Sequence, residues 1–232
     1  MDEATTALLP TFSHTWVEPS AVTVGWFAGT RQVWAVGEGP ADERQAAWEL
    51  FAQVRDAAPG ESSMLARSTY YRQGFSMDDG SCSVLYDGIG RAAGSVLLSA
   101  RQALFERLGS EAWALVVALA PGLHVSRLDL AADAEGSSTL RPSALYGLLP
   151  AARSRSQRVH QVLTVDRGGG EKLTLGSRSS ERYLRVYVKD QRVRHELELK
   201  QGAARAAMGR LLTGASLAGV WAQEYVRVVE WR

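Results

Sequence analysis

The chain holds a single cysteine, Cys82, among 232 residues. No internal disulfide can form, and a zinc site built from several cysteines of one chain is excluded. No stretch reaches the roughly 18 uninterrupted apolar residues that a membrane-spanning helix needs. The opening MDEATTALLP has neither the basic region nor the long apolar core of a secretory signal. The expectation is a cytoplasmic protein with no membrane partner. Net charge is scarce too, at +1.

That small balance conceals a split. Residues 141–232 hold 17 Lys and Arg against 8 Asp and Glu, a balance of +9, while the first 140 residues hold 9 bases against 17 acids, a balance of −8. Such asymmetry suggests that one half faces a polyanion, although two oppositely charged halves docked on each other would give the same split. With 46% hydrophobic residues the chain can bury an ordinary core. Its length suits one large domain or two small ones.

Periodicity gives the element order. Ala21 to Gly29 and Gln32 to Val36 read as paired strands after an irregular start containing Pro10 and Pro19. Asp42 to Ala58 reads as a helix with an Ala47, Leu50, Phe51 and Val54 stripe, stopped by Pro59-Gly60. Trp48 is expected in that core. Tyr70 to Ser76 and Cys82 to Tyr86 flank an Asp78-Asp79-Gly80 turn. GIGRAAG follows, but no Lys-Ser/Thr completes a phosphate-binding loop and the spacing is not that of a dinucleotide fingerprint. A connection between strands is the expectation. Gly94 to Leu98 reads as a strand, and Ser99-Ala-Arg-Gln102 as a capping box opening a helix through Leu108. Helices are expected over 111–120, 139–149, 203–212 and 216–229, the last packing through Trp221 and Tyr225. Val162 to Asp166 and Lys172 to Leu175 form a hairpin over Arg167-Gly-Gly-Gly170. Ala152 to Arg158, ARSRSQR, is a basic loop suited to phosphate contact or to plain solvation.

The densest chemistry lies in ERYLRVYVKDQRVRHELELK, residues 181–200. It reads as two strands with a tight turn near Asp190-Gln191. Alternation puts Tyr183, Arg185, Tyr187 and Lys189 on one face and Leu184, Val186 and Val188 on the other. In the second strand Arg194, Glu196, Glu198 and Lys200 oppose His195, Leu197 and Leu199. HVSRLDLAAD, residues 124–133, sets Arg127, Asp129, Ala131 and Asp133 against Leu128, Leu130 and Ala132. Ionisable groups gathered on three amphipathic strands suggest a shared site, with surface salt bridging as the alternative. A tyrosine can attack a phosphodiester, and Asp129, Glu196 and Glu198 offer the oxygen ligands that hard cations take. The fold class expected is α+β: a central antiparallel sheet, helices on its apolar face and a polar, catalytic face opposite. One catalytic domain is expected, or two sheet-plus-helix halves over about residues 1–120 and 121–232.

Three blocks together resemble the rolling-circle replication initiators of the Rep-trans kind, known from plasmids, integrative elements and filamentous phages. They are VSRLDLAAD (125–133), LTLGSRSSERYLRVYVKD (173–190) and RHELELK (194–200). The resemblance covers roughly residues 95–205. It implies an enzyme that nicks one origin strand and stays attached through a 5′-phosphotyrosine. Tyr187 would be the nucleophile, with Lys189 and Arg185 orienting phosphate. Asp129, Glu196 and Glu198 would hold Mg²⁺ or Mn²⁺. Arg178, Arg182, Arg194, Lys200, Arg153, Arg155 and Arg158 would contact DNA, single-stranded or folded as an origin hairpin. A homodimer and a host helicase are further partners the resemblance allows.

Related enzymes often bind metal through a His-hydrophobic-His pair. The four histidines here, His14, His124, His160 and His195, form none. His195 falls on the apolar face and is expected to pack. Val188 stands where the family commonly has Asp or Asn. Many relatives continue into a further origin-recognition segment. A non-catalytic DNA-binding regulator or origin-binding accessory on the same fold is the alternative reading.

Overall fold

The computed structural model describes residues 16–27, 40–65, 69–108, 124–134, 141–148, 161–189 and 191–229. The expected strand 32–36, helix 111–120 and basic loop 152–158 lie outside these residues. The chain divides into two compact units, one of residues 22–128 and one of residues 1–21 with 129–232. The architecture is α+β, with antiparallel strands and five helices among the described residues. None of these helices is long and apolar enough to cross a membrane.

The unit of residues 22–128 carries the end of strand β1 (Trp16–Phe27) from Val22 on, with β2 (Ser62–Leu65), β3 (Tyr71–Met77), β4 (Cys82–Gly88) and β5 (Leu97–Ala100), ordered β2-β3-β4-β5-β1. β1 starts earlier than expected, before Pro19. β2 was not expected at all; it adds to the edge through Ser62 to Leu65 opposite Met77 to Gly74. Helix α1 (Pro40–Ala57) lays Ala47, Leu50, Phe51 and Val54 into the core. Trp48 packs edge-on against Phe75 at 5.1 Å, yet 38% of it stays exposed, with the Arg55 guanidinium over its ring. Cys82 is fully buried, and burial pushes its thiol up to about 12.

The capping box at Ser99 is not formed. Ser99 belongs to β5, held in the ladder between Ser83 and Gly25, so helix α2 (Gln102–Leu108) begins three residues later. Backbone pairing on both sides of Ser99 outweighs one local cap. GIGRAAG is a connection, as expected, with a short 3₁₀ turn at Gly90–Ala92. Gly88 is required there: a Cβ would lie 1.9 Å from the Ala92 carbonyl oxygen.

The other unit carries β6 (His124–Ala134) from Asp129 on, with β7 (Gln161–Val165), β8 (Glu171–Leu175), β9 (Arg182–Lys189) and β10 (Arg192–Lys200), ordered β6-β10-β9-β8-β7. Helix α3 (Pro142–Leu148) packs on β8, while α4 (Gln201–Leu212) and α5 (Leu217–Val229) cover β9 and β10. Leu184, Val186, Leu197 and Leu199 are buried beneath them, as alternation predicts. Each such side chain contributes about 1.5–3 kcal/mol by leaving water. His195 joins this layer. It is fully buried, its Nδ1 lies 3.2 Å from the Tyr225 hydroxyl, and burial drives its pKa down to about 3. Trp221 and Tyr225 stack at 4.5 Å.

Two residues of β9 keep the predicted register but differ in exposure from what their faces suggest. Val188 was expected on the apolar face but is 48% exposed, one position before the strand's end. Tyr183 lies opposite Glu198, on the polar face as expected, but both are buried. Lys189 at the end of β9 pairs with Arg192 at the start of β10, and Gln191 sits at φ 65°.

Candidate active site

The β9–β10 register determines which polar groups meet. Tyr187 lies opposite Arg194, Arg185 opposite Glu196, and Tyr183 opposite Glu198. Long side chains also reach the diagonal neighbour across an antiparallel pair. Tyr187 uses that reach: its hydroxyl donates to Glu196 Oε2 at 2.8 Å. Arg185 Nη2 donates to the other oxygen, Oε1, at 2.7 Å and lies 3.6 Å from Glu198 Oε2. Glu198 Oε1 is 2.7 Å from Lys200 Nζ, which also donates to the Arg178 carbonyl. The result is one continuous chain of groups, Tyr187, Glu196, Arg185, Glu198 and Lys200. Burial pushes the Tyr187 phenol up, and the hydrogen bond to Glu196 and that carboxylate's charge add to it. Arg194 and Arg185 pull the other way, and the phenol settles at about 12.

Beside this chain Arg194 is clamped by Asp133. Its Nε and Nη2 donate to the two carboxylate oxygens at 2.6 Å each, and this pairing drives the guanidinium pKa up. Such a bidentate pair leaves Arg194 little freedom to follow a ligand.

A cavity of about 290 Å³ opens against Tyr187, Arg185 and Glu196. Its other wall comes from the β7–β8 hairpin, through Asp166, Glu171 and Lys172. Asp166 holds the turn together, accepting from the Gly168 and Gly170 amides at 2.9 and 2.8 Å. Glu171 accepts from the Ser143 hydroxyl at 2.8 Å and from its amide at 3.2 Å.

The structure therefore brings Tyr187, Arg185, Glu196, Glu198 and Lys200 together. Lys189 is exposed at the last position of β9 and is not among the residues lining the cavity. Arg182 is turned to a different centre. Its Nε donates at 2.6 Å to Glu224, a fully buried carboxylate of α5 that also accepts from Arg210 at 2.5 Å and Arg227 at 2.8 Å. Burial pushes the Glu224 carboxyl up, but these bonds and charges outweigh it and hold the group below its usual range. Arg178 is exposed, and Asp129 is buried on β6. Arg153, Arg155 and Arg158 lie outside the described residues.

Asp129, Glu196 and Glu198 are all-oxygen donors, a chemistry that suits a hard cation. Their arrangement does not supply a site: among the described residues no group of three acids, histidines or cysteines is placed to hold a metal ion. Glu196 and Glu198 instead meet Arg185, Tyr187 and Lys200. Lys172 was missed in the sequence, where EKLTL reads as an ordinary amphipathic strand. Its place emerges only from the β8–β9 pairing.

No protein-family model matches the chain, and no curated protein matches it. Its fold is that of a solved structure described as the rolling circle replication initiator protein from Geobacillus stearothermophilus. The TM-score is 0.61 at 16% sequence identity, over 93% of this chain and 85% of that one.

Proposed function

We propose that this chain is a replication initiator that nicks and rejoins one DNA strand through Tyr187. The observation that carries the reading is the Tyr187–Glu196 hydrogen bond, set in a cavity beside Arg185. The likeness in fold to a rolling circle replication initiator supports it, as do the three sequence blocks that converge on this hairpin. In the proposed step the Tyr187 oxygen attacks phosphorus as its proton passes to Glu196. The new O–P bond forms as the P–O3′ bond breaks. The 3′ oxygen leaves with the bonding pair and takes a proton from water. Arg185 opposes the charge that builds on the phosphoryl oxygens. Rejoining is the reverse, with a 3′-hydroxyl as attacker.

Mg²⁺ or Mn²⁺ belongs to the proposal only with a rearrangement: Asp129, Glu196 and Glu198 would hold it once Glu196 and Glu198 gave up Arg185 and Lys200. When bound, such an ion would polarise the phosphoryl group. Arg178, Lys200 and the loop residues Arg153, Arg155 and Arg158 are proposed to contact DNA phosphates.

The test is to incubate the protein with single-stranded and hairpin DNA from its own replicon, with Mn²⁺ or Mg²⁺, and resolve products under denaturing conditions. A covalent protein–DNA adduct is expected. One observation favours the second reading, a non-catalytic DNA-binding protein: Glu196 and Glu198 are ion-paired to Arg185 and Lys200 rather than gathered around a metal site. Binding without an adduct under either metal would favour that reading.

A further inference from the structure

We propose that Lys172 grips the scissile phosphate beside Tyr187. The inference rests on the nicking reading and adds to it a residue that the family blocks do not assign. Lys172 lies directly opposite Tyr187 in the β8–β9 ladder, on the side away from Arg194. It lines the cavity that holds Tyr187, Arg185 and Glu196. A phosphate entering that cavity meets the Lys172 ammonium from one wall and the phenol from the other.

The charges around it are already committed. Arg185 is engaged with Glu196 and Glu198, Arg194 with Asp133, and Lys200 with Glu198 and a backbone carbonyl. The other acids lining the cavity are engaged too, Asp166 by turn amides and Glu171 by Ser143. Lys172 itself is half-buried and makes no ion pair or side-chain hydrogen bond among the described residues. Among the described residues it is a cation without an acid partner, in the wall of the cavity that holds Tyr187. An ammonium on a flexible stem is a point charge able to follow non-bridging oxygens as they gain charge.

The experiment is a single-turnover assay of adduct formation at saturating DNA, with replicon-derived single-stranded and hairpin oligonucleotides and Mn²⁺. Lys172→Met is expected to slow the adduct roughly 100-fold, in the range seen when one transition-state donor is lost. The unfolding midpoint should stay close to wild type because the stem of the side chain is kept, and DNA affinity should fall only slightly because one phosphate contact among several is lost. Lys172→Arg should recover much of the rate. A Lys172→Met enzyme as fast as an active wild type overturns this assignment alone. So does a loss that Lys172→Arg does not relieve. A wild type that binds DNA but forms no adduct removes the nicking reading, and this assignment with it.

Discussion

Tyr187 and Glu196 are not opposite each other in their hairpin, yet the phenol of one reaches the carboxylate of the other at 2.8 Å. The diagonal contact leaves the second oxygen of Glu196 to Arg185, so one carboxylate orients both the proposed nucleophile and the proposed phosphate-binding group. Glu196→Gln keeps the shape and removes the charge that would accept the proton in the proposed step. The adduct rate is expected to fall about 100-fold or more, the usual scale for losing a positioned general base. A single-turnover rate near wild type would assign the proton to another acceptor.

The two tyrosines of β9 should behave differently. Tyr183 is buried opposite Glu198, and it lies four residues from Tyr187, roughly 13 Å along the strand at about 3.3 Å per residue. Attack needs the oxygen within about 3–3.5 Å of phosphorus. Tyr187→Phe is expected to abolish the adduct while leaving DNA affinity intact. Tyr183→Phe should still form it. The reverse result on a denaturing gel would move the nucleophile to Tyr183.

Glu224 should govern acid stability. Its folded-state carboxyl ionises below the ordinary value of 4.5, so its stabilising contribution is full above that value and is lost as pH falls through the depressed one. Glu224→Gln leaves Arg182, Arg210 and Arg227 crowded without their counter-charge. A loss of roughly 3 kcal/mol near neutral pH is expected, as when one partner of a buried pair is removed. Denaturant titrations should show the gap to wild type narrowing below about pH 4.5. A gap that stays constant to low pH would contradict the assigned role.

Gly88→Ala should destabilise the other unit. The added methyl meets the Ala92 carbonyl, which already accepts from the Ser95 amide at 3.1 Å and the Ser95 hydroxyl at 2.6 Å. Ser95 in turn is 3.0 Å from the Tyr71 hydroxyl. The cost expected is about 1–3 kcal/mol, typical of overpacking. Thermal unfolding measures it, and an unchanged midpoint would show that the turn can move aside.

Alternation along residues 182–200 was legible because the helices bury one face only, so a slip by one residue would expose Leu184 and Leu197. The short turn then fixed the partners, and Tyr187 opposite Arg194 followed. β2 was not legible. Ser62 to Leu65 carries no alternation and becomes a strand by pairing with β3. Ser99 misled because a capping signature is local, whereas the two ladders holding it come from residues far apart in sequence. The same applies to Glu224, whose partner Arg182 is 42 residues away. Lys172 depends on a pairing between separate hairpins, and no spacing in the sequence encodes that.

The burial of Cys82 makes the protein convenient for chemical mapping. Its thiol is sealed within β4 and stays protonated at working pH, so alkylating reagents should leave the native chain unmodified. A cysteine introduced at exposed Lys189 would then be the sole reactive thiol. Tethered to a thiol-bearing oligonucleotide, it could trap the DNA strand at the hairpin end without any native residue first having to be removed.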